Sequence, residues 1–354
     1  MTAHVSLREH LATALSDPGS VRAAAAQAVL ALAGGAIRTA RLLNDGPLAG
    51  DLAEVVAEES FGDAQKYLDL HANEVIIESL RAAPVAWLGS EEMEHPMALA
   101  VDGSVVVAVD PLDGSSNIDT NAPVGTIFSI LPMPAPNVAD PLAAFLRPGT
   151  EQVAAGYVIY GPHVALVLTM GEGTHRFILD RSRGEFVLHI EPMSIPADTT
   201  EYAINASNYR HWDEPVRQYV EDCLRGEDGP RGMNCNTRWL GSMVGDAYRI
   251  MARGGVYLYP ADARSGYARG RLRLLYEANP IAWVVEQAGG AATDGAQRML
   301  EIVPTELHQR VPLVFGSRIE VERIRDVYTD ARFEGENSPL FGPRSLFRGA
   351  MRQE

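Results

Sequence analysis

The sequence contains little lysine and little cysteine, and it has fewer basic than acidic residues. Lys66 is the only lysine among 30 basic residues, and Cys223 and Cys235 are the only cysteines in 354 residues. Two cysteines cannot build a disulfide framework, so we expect a reducing, cytoplasmic environment. The net charge of −16 argues against nucleic acid and anionic membranes as partners, because both bind basic patches. An anionic substrate would therefore need a local group of cations.

Long hydrophobic runs are also missing. The most apolar stretch, AAAAQAVLALAGGA from Ala23 onward, is too short and too rich in alanine to predict a membrane span. The N-terminal residues lack the charged and apolar regions of a signal peptide. With 46% hydrophobic residues, a chain of this length can bury a large core. We therefore expect a folded protein without a membrane or targeting segment.

The hydrophobic pattern predicts an α/β protein with two lobes. Apolar residues recur every three or four positions through roughly the first 80 residues, which indicates helices. Short β-branched runs between Val85 and Ile190 predict an antiparallel sheet with helices on one side. Helical and strand patterns then alternate. We assign residues 1–194 to an N-terminal lobe, 195–331 to a C-terminal lobe and 332–354 to a C-terminal arm.

The segment VDPLDGSSNID, residues 109–119, combines carboxylates with free backbone donors. We expect Asp110 to end a strand, because Pro111 removes a donor from the ladder. The glycine and two serines that follow offer N–H groups and hydroxyls of the kind that bind phosphate. Asp110 and Asp113 would repel a phosphate unless hard cations such as Mg²⁺ lay between them. The segment therefore predicts a metal-bridged phosphate site, with an ordinary capped β-turn as the alternative.

Other acidic residues occupy similar positions in the pattern. Glu91 and Glu92 directly follow the strand-like run VAWL, as Asp110 follows its own run. Glu277 follows an apolar run and opens a helix, whose N-terminal dipole favours negative charge. Upstream of it lie four arginines: Arg264, Arg269, Arg271 and Arg273. By residue type alone, a solvated turn, a helix-start glutamate and a solvated basic cluster remain alternatives.

Five motifs together resemble those of class I fructose-1,6-bisphosphatases. In chain order they are GDAQKYLD, SEE, DPLDGSSNID, LGSMVGD and GRLRLLYEANP. The resemblance extends from about Val21 to Tyr328 and implies the layered α-β-α-β-α sugar-phosphatase fold, usually assembled as a homotetramer. It also implies hydrolysis of the 1-phosphate of fructose 1,6-bisphosphate to give fructose 6-phosphate, with two or more Mg²⁺ ions per subunit.

The resemblance implies roles for individual residues. The implied Mg²⁺ ligands are Glu91, Asp110, the carbonyl of Leu112, Asp113 and Glu277, with Asp63 as an auxiliary ligand. Glu92 and Asp69 are implied as the pair that takes a proton from the attacking water. The implied contacts of the 1-phosphate are Asp113, Gly114, Ser115 and Ser116. Those of the sugar and 6-phosphate are Asn205, Tyr209, Tyr257, Leu258, Tyr259, Arg264 and Arg271. Arg238 resembles an arginine that reaches into a neighbouring subunit's site.

The chain departs from the family pattern at several positions. Arg264 and Arg271 stand where many relatives have lysine, which keeps the positive charge. Trp239 replaces a tyrosine and so loses a hydroxyl. Residues 131–150 contain no cysteine, so thioredoxin control is not expected. AMP-inhibited relatives have a lysine-tyrosine pair and an arginine where this chain has Ser104, Val105 and Pro132, so we expect insensitivity to AMP.

Other functions stay open on the sequence alone. A sedoheptulose-1,7-bisphosphatase or dual-specificity enzyme would differ in the depth of its far-phosphate pocket. An inositol-monophosphatase-like activity would leave the arginine cluster without a second phosphate. A non-catalytic sugar-phosphate-binding protein would be expected to have lost a metal carboxylate, whereas this chain retains them all. Roles in gluconeogenesis and in the Calvin cycle are equally compatible with the sequence.

Overall fold

The computed structural model describes residues 5–45, 55–58, 64–118, 120–134, 140–190 and 192–329. Asp63 and the expected arm, 332–354, lie outside the described residues. The helices are α1 (Leu7–His10), α2 (Ala12–Leu15), α3 (Val21–Asp45), α4 (Tyr67–Leu80), α5 (Glu214–Leu224), α6 (Met243–Arg253), α7 (Asn279–Gln287) and α8 (Arg318–Thr329). A π-helical turn, Leu274–Ala278, leads into α7.

The strands of the described residues form two main sheets and two short two-stranded antiparallel sheets. Their bounds are β1 (Val55–Glu58), β2 (Ala64–Lys66), β3 (Val85–Ser90), β4 (Met97–Ala98), β5 (Val105–Asp113), β6 (Val124–Pro132), β7 (Ala154–Tyr160), β8 (Val164–Thr169), β9 (Thr174–Asp180), β10 (Glu185–Ile190), β11 (Glu201–Ala203), β12 (Asn236–Thr237), β13 (Val256–Tyr259), β14 (Leu272–Arg273), β15 (Ala291–Thr293), β16 (Arg310–Val311) and β17 (Leu313–Gly316).

The larger sheet has the strand order β10-β9-β8-β7-β6-β5-β3-β4. β3 and β5 run parallel, and the other neighbouring pairs of this sheet are antiparallel. The expected antiparallel arrangement is therefore confirmed for β6 to β10. Every residue of β7 and β8 is buried. Burial on both faces explains why these runs are continuously hydrophobic rather than alternating.

Strand β5 continues through Pro111 to Asp113, so the expectation that it ends at Asp110 is wrong. Its register against β6 shifts between Asp110 and Asp113, at the point where the proline has no N–H to donate. Thr126 of β6 donates its hydroxyl to the Pro111 carbonyl at 2.8 Å. The proline thus distorts the ladder without ending it, and both aspartates stay on one buried strand.

Helices cover both faces of the larger sheet, whereas the sequence pattern predicted one face only. α3 and α4 share a core with one face, in which Ile76 of α4 lies among Val107 and Phe128 of the sheet. α6 and α7 share a core with the opposite face. The pattern missed this cover because both helices come from the second half of the chain, which folds back over the sheet.

The smaller sheet has the strand order β12-β11-β13-β17-β15. One face shares the core of α6, α7 and the larger sheet, where Phe315 of β17 belongs to the same cluster as Tyr157 of β7. The other face packs with α5 and α8, through Tyr219 and Ile324. The successive layers are α1–α4, the larger sheet, α6 with α7, the smaller sheet, and α5 with α8. The expected α-β-α-β-α order is confirmed.

The N-terminal region is less uniformly helical than its pattern predicted, because β1 and β2 form an antiparallel pair between α3 and α4. α3 is a helix with the length and hydropathy to cross a membrane, over Val21–Asn44, but 67% of its most apolar window is buried inside the fold. Ala25, Val29 and Leu32 lie in the core cluster of the larger sheet. The core helix of a folded domain gives the same composition signal as a membrane span.

Candidate active site

Three carboxylates converge where β5 meets the π-helical turn. Asp110 and Asp113 come from β5, and Glu277 comes from the turn. One oxygen from each lies within 4.8 Å of the others. The three residues are only 4%, 7% and 6% exposed, respectively. The acidic residues expected to act together are therefore brought together, although Asp110 and Glu277 are 167 positions apart in the chain.

Burial and mutual repulsion make this cluster unfavourable without a cation. Burial raises the pKa of Asp110 and of Glu277 well above the usual carboxyl range, and repulsion from Glu91 is the next cause for both. Burial also raises the pKa of Asp113 to about 6. Buried like charges of this kind are stabilised by metal ions, and an all-oxygen set suits hard divalent cations. The residues present therefore fit such an ion.

Local hydrogen bonds hold each carboxylate in place. Asp113 accepts the backbone N–H of Val244 at 3.2 Å, in the first turn of α6. Asp110 accepts the N–H of Leu112 at 3.0 Å. Glu277 accepts the N–H of Arg273, the residue directly before the π-helical turn. These bonds fix the side chains before any ligand arrives.

Glu91 and Glu92 lie at the end of β3, beside β5. The Glu91 N–H donates to the Val109 carbonyl at 3.0 Å, and the Arg273 Nε lies 3.4 Å from the Glu91 carboxylate. Arg273 is 2% exposed, so it belongs to the buried acidic site rather than to a solvated basic cluster. Glu92 acts electrostatically on Asp110, since its charge contributes to raising the pKa of that aspartate. Both glutamates thus adjoin the carboxylate cluster.

A buried polar bridge links the Glu91-Glu92 segment to α4. Ser90 donates its hydroxyl to the Asn73 side chain at 2.8 Å and accepts the Glu92 N–H at 3.3 Å. Asp69 lies one turn before Asn73 in α4 and is 5% exposed. The sequence reasoning did not single out Ser90 or Asn73. The four-residue spacing from Asp69 would have placed Asn73 on the same helix face.

The glycine and serines after β5 form a tight, partly open turn. Gly114 has a φ of 77°, a left-handed conformation that favours glycine. Ser115 begins a short 3₁₀ turn, and Ser116 is exposed. The Asn117 side-chain amide donates to the Gly241 carbonyl at 3.0 Å, which ties the turn to the loop before α6. The backbone at this turn is therefore positioned next to the carboxylates and accessible to solvent.

Aromatic rings extend the site away from the carboxylates. Tyr257 stacks on Trp239 with a centroid distance of 5.5 Å and on Phe315 at 5.0 Å. Burial raises the pKa of Tyr259, and the charges of Arg271 and Glu277 act on it in opposite directions. Tyr259 is therefore within electrostatic reach of both the acidic cluster and a basic group. The ring that replaces a tyrosine, Trp239, packs well without its hydroxyl.

The basic group consists of two arginines that both lie against the ring of one tyrosine. The guanidinium carbons of Arg264 and Arg271 lie 4.1 and 4.8 Å from the Tyr267 ring centre. Arg271 also donates to the Tyr267 hydroxyl at 2.6 Å, and Arg264 makes a bidentate pair with Asp262. We call Arg264, Tyr267 and Arg271 the arginine clamp. Arg269 stands apart, 79% exposed beside Glu306. Sequence reasoning missed Tyr267.

The remaining expected substrate residues are dispersed around this end of the site. Asn205 and Tyr259 line a cavity together with Leu258, and Asn205 caps the turn that follows it. Tyr209 is 41% exposed and donates its hydroxyl to Glu221, so in this conformation it does not line that cavity. Arg238 is 54% exposed with a long contact to Glu201 of 3.5 Å. It is accessible on the surface.

Comparison with known proteins agrees with this geometry. The profile of the fructose-1-6-bisphosphatase N-terminal domain matches residues 24–191, and that of the C-terminal domain matches residues 195–329. Similar curated relatives include "Fructose-1,6-bisphosphatase class 1" of Azorhizobium caulinodans, 56% identical over 315 residues, which are 88% of this chain and 95% of the relative. "Fructose-1,6-bisphosphatase class 1 2" of Xanthobacter autotrophicus is 55% identical over 331 residues, 93% of this chain and 100% of the relative.

A solved structure has the same fold. The holo form of Leishmania major fructose-1,6-bisphosphatase superposes with a TM-score of 0.85 at 34% identity, covering 92% of this chain and 99% of that one. Its apo form gives a TM-score of 0.80 over the same share of this chain. Together with the two domain profiles and the extent of the sequence identity, this places the chain in the class 1 fructose-1,6-bisphosphatase family.

Proposed function

We propose that this chain hydrolyses the 1-phosphate of fructose 1,6-bisphosphate to give fructose 6-phosphate and phosphate. The observation that carries the proposal is the pairing of a buried acidic cluster with a separate arginine clamp, with Tyr259 in electrostatic reach of both. A substrate with a phosphate at each end matches this arrangement. The reaction named for the relatives has such a substrate.

We assign the acidic cluster to Mg²⁺, with two or more ions per subunit. The ligands would be the carboxylates of Glu91, Asp110, Asp113 and Glu277 and the Leu112 carbonyl, with Asp63 outside the described residues. When bound, the ions supply charge stabilisation to the transferring phosphate and lower the pKa of an attacking water. The protein contributes fixed carboxylates, whose geometry is set by Val244, Leu112 and Arg273.

Proton removal and phosphate binding are assigned to residues around the cluster. Glu92 takes the water proton at its carboxylate, with Asp69 as its partner, since a general base must reach that proton directly. Ser90 and Asn73 hold the Glu92 backbone. Ser115 and Ser116, with the N–H groups after Gly114, bind and orient the 1-phosphate.

The far end of the sugar bisphosphate binds the C-terminal lobe. The 6-phosphate lies against Arg264 and Arg271, and the sugar against Tyr257, Leu258 and Tyr259. Asn205 and Tyr209 complete this subsite, Tyr209 by turning from Glu221. Charge-assisted contacts at this end position the 1-phosphate for attack. Arg238 serves a neighbouring subunit in a cytoplasmic homotetramer.

Phosphate release from fructose 1,6-bisphosphate, sedoheptulose 1,7-bisphosphate and fructose 6-phosphate tests the function, each with Mg²⁺ and with excess chelator. We expect Mg²⁺-dependent release from fructose 1,6-bisphosphate and little from the monophosphate. Faster release from the seven-carbon substrate would replace the proposal with a sedoheptulose-1,7-bisphosphatase. No release from either bisphosphate would favour a binding protein that retains the fold.

A further inference from the structure

Among the residues that the structure describes, Arg176 of β9 has no carboxylate partner although it is buried. Its residue exposure is 9%, and its Nε is buried without a hydrogen-bond partner. Within the described part of the chain it forms no ion pair. Its contacts are with the His189 ring, 3.1 Å from Nη2 to Nδ1, and with Tyr248, whose ring centre lies 5.4 Å from the guanidinium carbon and whose hydroxyl is hydrogen-bonded to Arg176. A buried charge is normally paired with an opposite one.

The groups around Arg176 add no compensating negative charge. The His163 Nε2 lies 3.0 Å from the Tyr248 hydroxyl, and both histidines are exposed. Burial lowers the pKa of His189, and the charges of Arg176 and His163 lower it further, so the three basic groups are close together. The Tyr157 hydroxyl, which is also buried without a hydrogen-bond partner, lies within electrostatic reach of Arg176. The ring of Tyr248 offsets only part of a full charge.

This group is separate from the acidic cluster. Asp110, Ile127, Tyr157, Val167 and Arg176 are consecutive cross-strand partners from β5 to β9. Partners in a ladder share one face, and four strand spacings amount to about 19 Å. α6 touches both places, since its Val244 N–H binds Asp113 and its Tyr248 covers Arg176.

We infer that Arg176, His189, His163 and Tyr248 form a binding site for a small oxyanion, a phosphate, sulfate or carboxylate group, distinct from the active site. Arg176 supplies a buried guanidinium with an unused donor, and the two exposed histidines supply ring N–H donors at the entrance. The Tyr248 hydroxyl supplies a further polar contact. An oxyanion would neutralise the arginine and use donors that are otherwise idle.

Selenate is a suitable probe, because its anomalous scattering locates it in crystals of the full chain. We expect an anomalous peak within hydrogen-bond distance of Arg176 and His189. In calorimetry with sulfate, Arg176→Leu should lose one binding site per chain. His189→Gln should weaken the sulfate affinity of that site by about tenfold, because it removes one hydrogen bond to the anion. Arg181→Leu, an exposed arginine on the same hairpin, is the matched control and should bind as the wild type does.

Three results would overturn the inference. One is no selenate at Arg176 together with unchanged sulfate binding in both variants. Another is equal loss in Arg181→Leu, which would indicate a nonspecific charge effect. The third is a carboxylate of a second copy of the chain occupying the position in crystals without selenate. His189→Gln changes an exposed side chain, so it keeps the test valid if Arg176→Leu fails to fold.

Discussion

The backbone N–H of Val244 donates to the carboxylate of Asp113 across 131 positions of sequence, at 3.2 Å. Val244 lies in the first turn of α6, which Ser242 caps by accepting the Gly245 N–H. A helix from the second half of the chain thus orients an acidic residue from the first half. The carboxylate cluster is complete only when both halves have folded together.

The Mg²⁺ concentration that the enzyme needs for activity should depend on pH. Burial raises the pKa of Asp113 to about 6 and those of Asp110 and Glu277 well above normal. A raised carboxyl pKa means that protons compete with the cation as the pH falls toward that pKa. The Mg²⁺ concentration for half-maximal activity should therefore rise as the pH falls through about 6, and approach a tenfold rise per pH unit for each proton that the cation displaces. Steady-state Mg²⁺ titrations at several pH values measure this, and full turnover in chelator would contradict the metal assignment.

Asp113→Ala and Glu277→Ala should each lower kcat by about a hundredfold or more with a folded protein retained, because each removes transition-state charge stabilisation. Relief of repulsion among buried carboxylates should keep the melting temperature near that of the wild type. Asp228→Ala, at an exposed aspartate, is the control. If the kcat of either cluster variant stayed within a few-fold of the wild-type value, the assignment of that residue as a metal ligand would be wrong.

Arg271→Ala should raise the KM for fructose 1,6-bisphosphate by about ten- to a hundredfold, the loss of a charge-assisted phosphate contact. Hydrolysis of a sugar 1-phosphate that lacks the far phosphate should change much less. Arg269→Ala, at a side chain that is 79% exposed and paired with Glu306, should behave like the wild type on both substrates. If Arg271→Ala lowered kcat/KM equally for the two substrates, Arg271 would lie outside the far-phosphate subsite.

Much of the acidic site could be predicted from the sequence because its signals are local. Acidic residues directly after apolar runs identified Glu91, Asp110 and Glu277. Val244 could not be identified in this way, since any residue type can supply a backbone N–H and its partner is distant in sequence. The fold's layer order followed from the family resemblance, whereas the strands β1 and β2 were missed because three or four residues carry little periodicity.

The four clustered arginines show a similar limit. They are close in sequence, but the structure separates them into the arginine clamp, the exposed Arg269 and the buried Arg273. Their spacing in the sequence indicated a basic group, but it did not indicate which of the four arginines lie together. Tyr267 decides this, since both Arg264 and Arg271 lie against its ring, and a single tyrosine in a loop carries no pattern.

AMP should not inhibit the enzyme at concentrations that act on regulated relatives. The positions expected to hold its phosphate and ring are Ser104, Val105 and Pro132, which offer no cation. Arg22 and Arg38 of α3 are two cations that could build a different AMP site, but they are already in ion pairs, Arg22 with Glu172 and Arg38 with Glu78. An effector without differential affinity for two states shifts neither. Titration of AMP against Mg²⁺-saturated activity checks this, and cooperative inhibition at about micromolar AMP, a binding free energy near 8 kcal/mol, would reveal another effector site.

Arg231→Met should destabilise the protein by about 3 to 5 kcal/mol, because it removes the bidentate partner of the buried Glu320 carboxylate. The remaining partners, the Tyr219 hydroxyl at 2.7 Å and the half-exposed Arg323 at 3.6 Å, replace it only in part. The pair is bidentate at 2.6 and 2.7 Å, and the two side chains are 3% and 1% exposed. Arg318→Met, which breaks an ion pair whose side chains are 52% and 44% exposed, should change the free energy of unfolding by under about 1 kcal/mol. Equal effects in urea unfolding would contradict the distinction.

The position of α6 and α7 between the two sheets has a consequence during translation. β10 ends at Ile190, but α7 ends only at Gln287, so the ribosome completes the larger sheet well before the helices that cover its second face. At about 5 to 20 residues per second, that interval lasts roughly 5 to 20 seconds. If the larger sheet forms on the nascent chain, Ile127, Tyr157 and Val167, which belong to the inter-sheet core, face solvent until α6 and α7 pack over them. We therefore expect this apolar sheet surface to bind a chaperone at the ribosomal exit until α6 and α7 emerge.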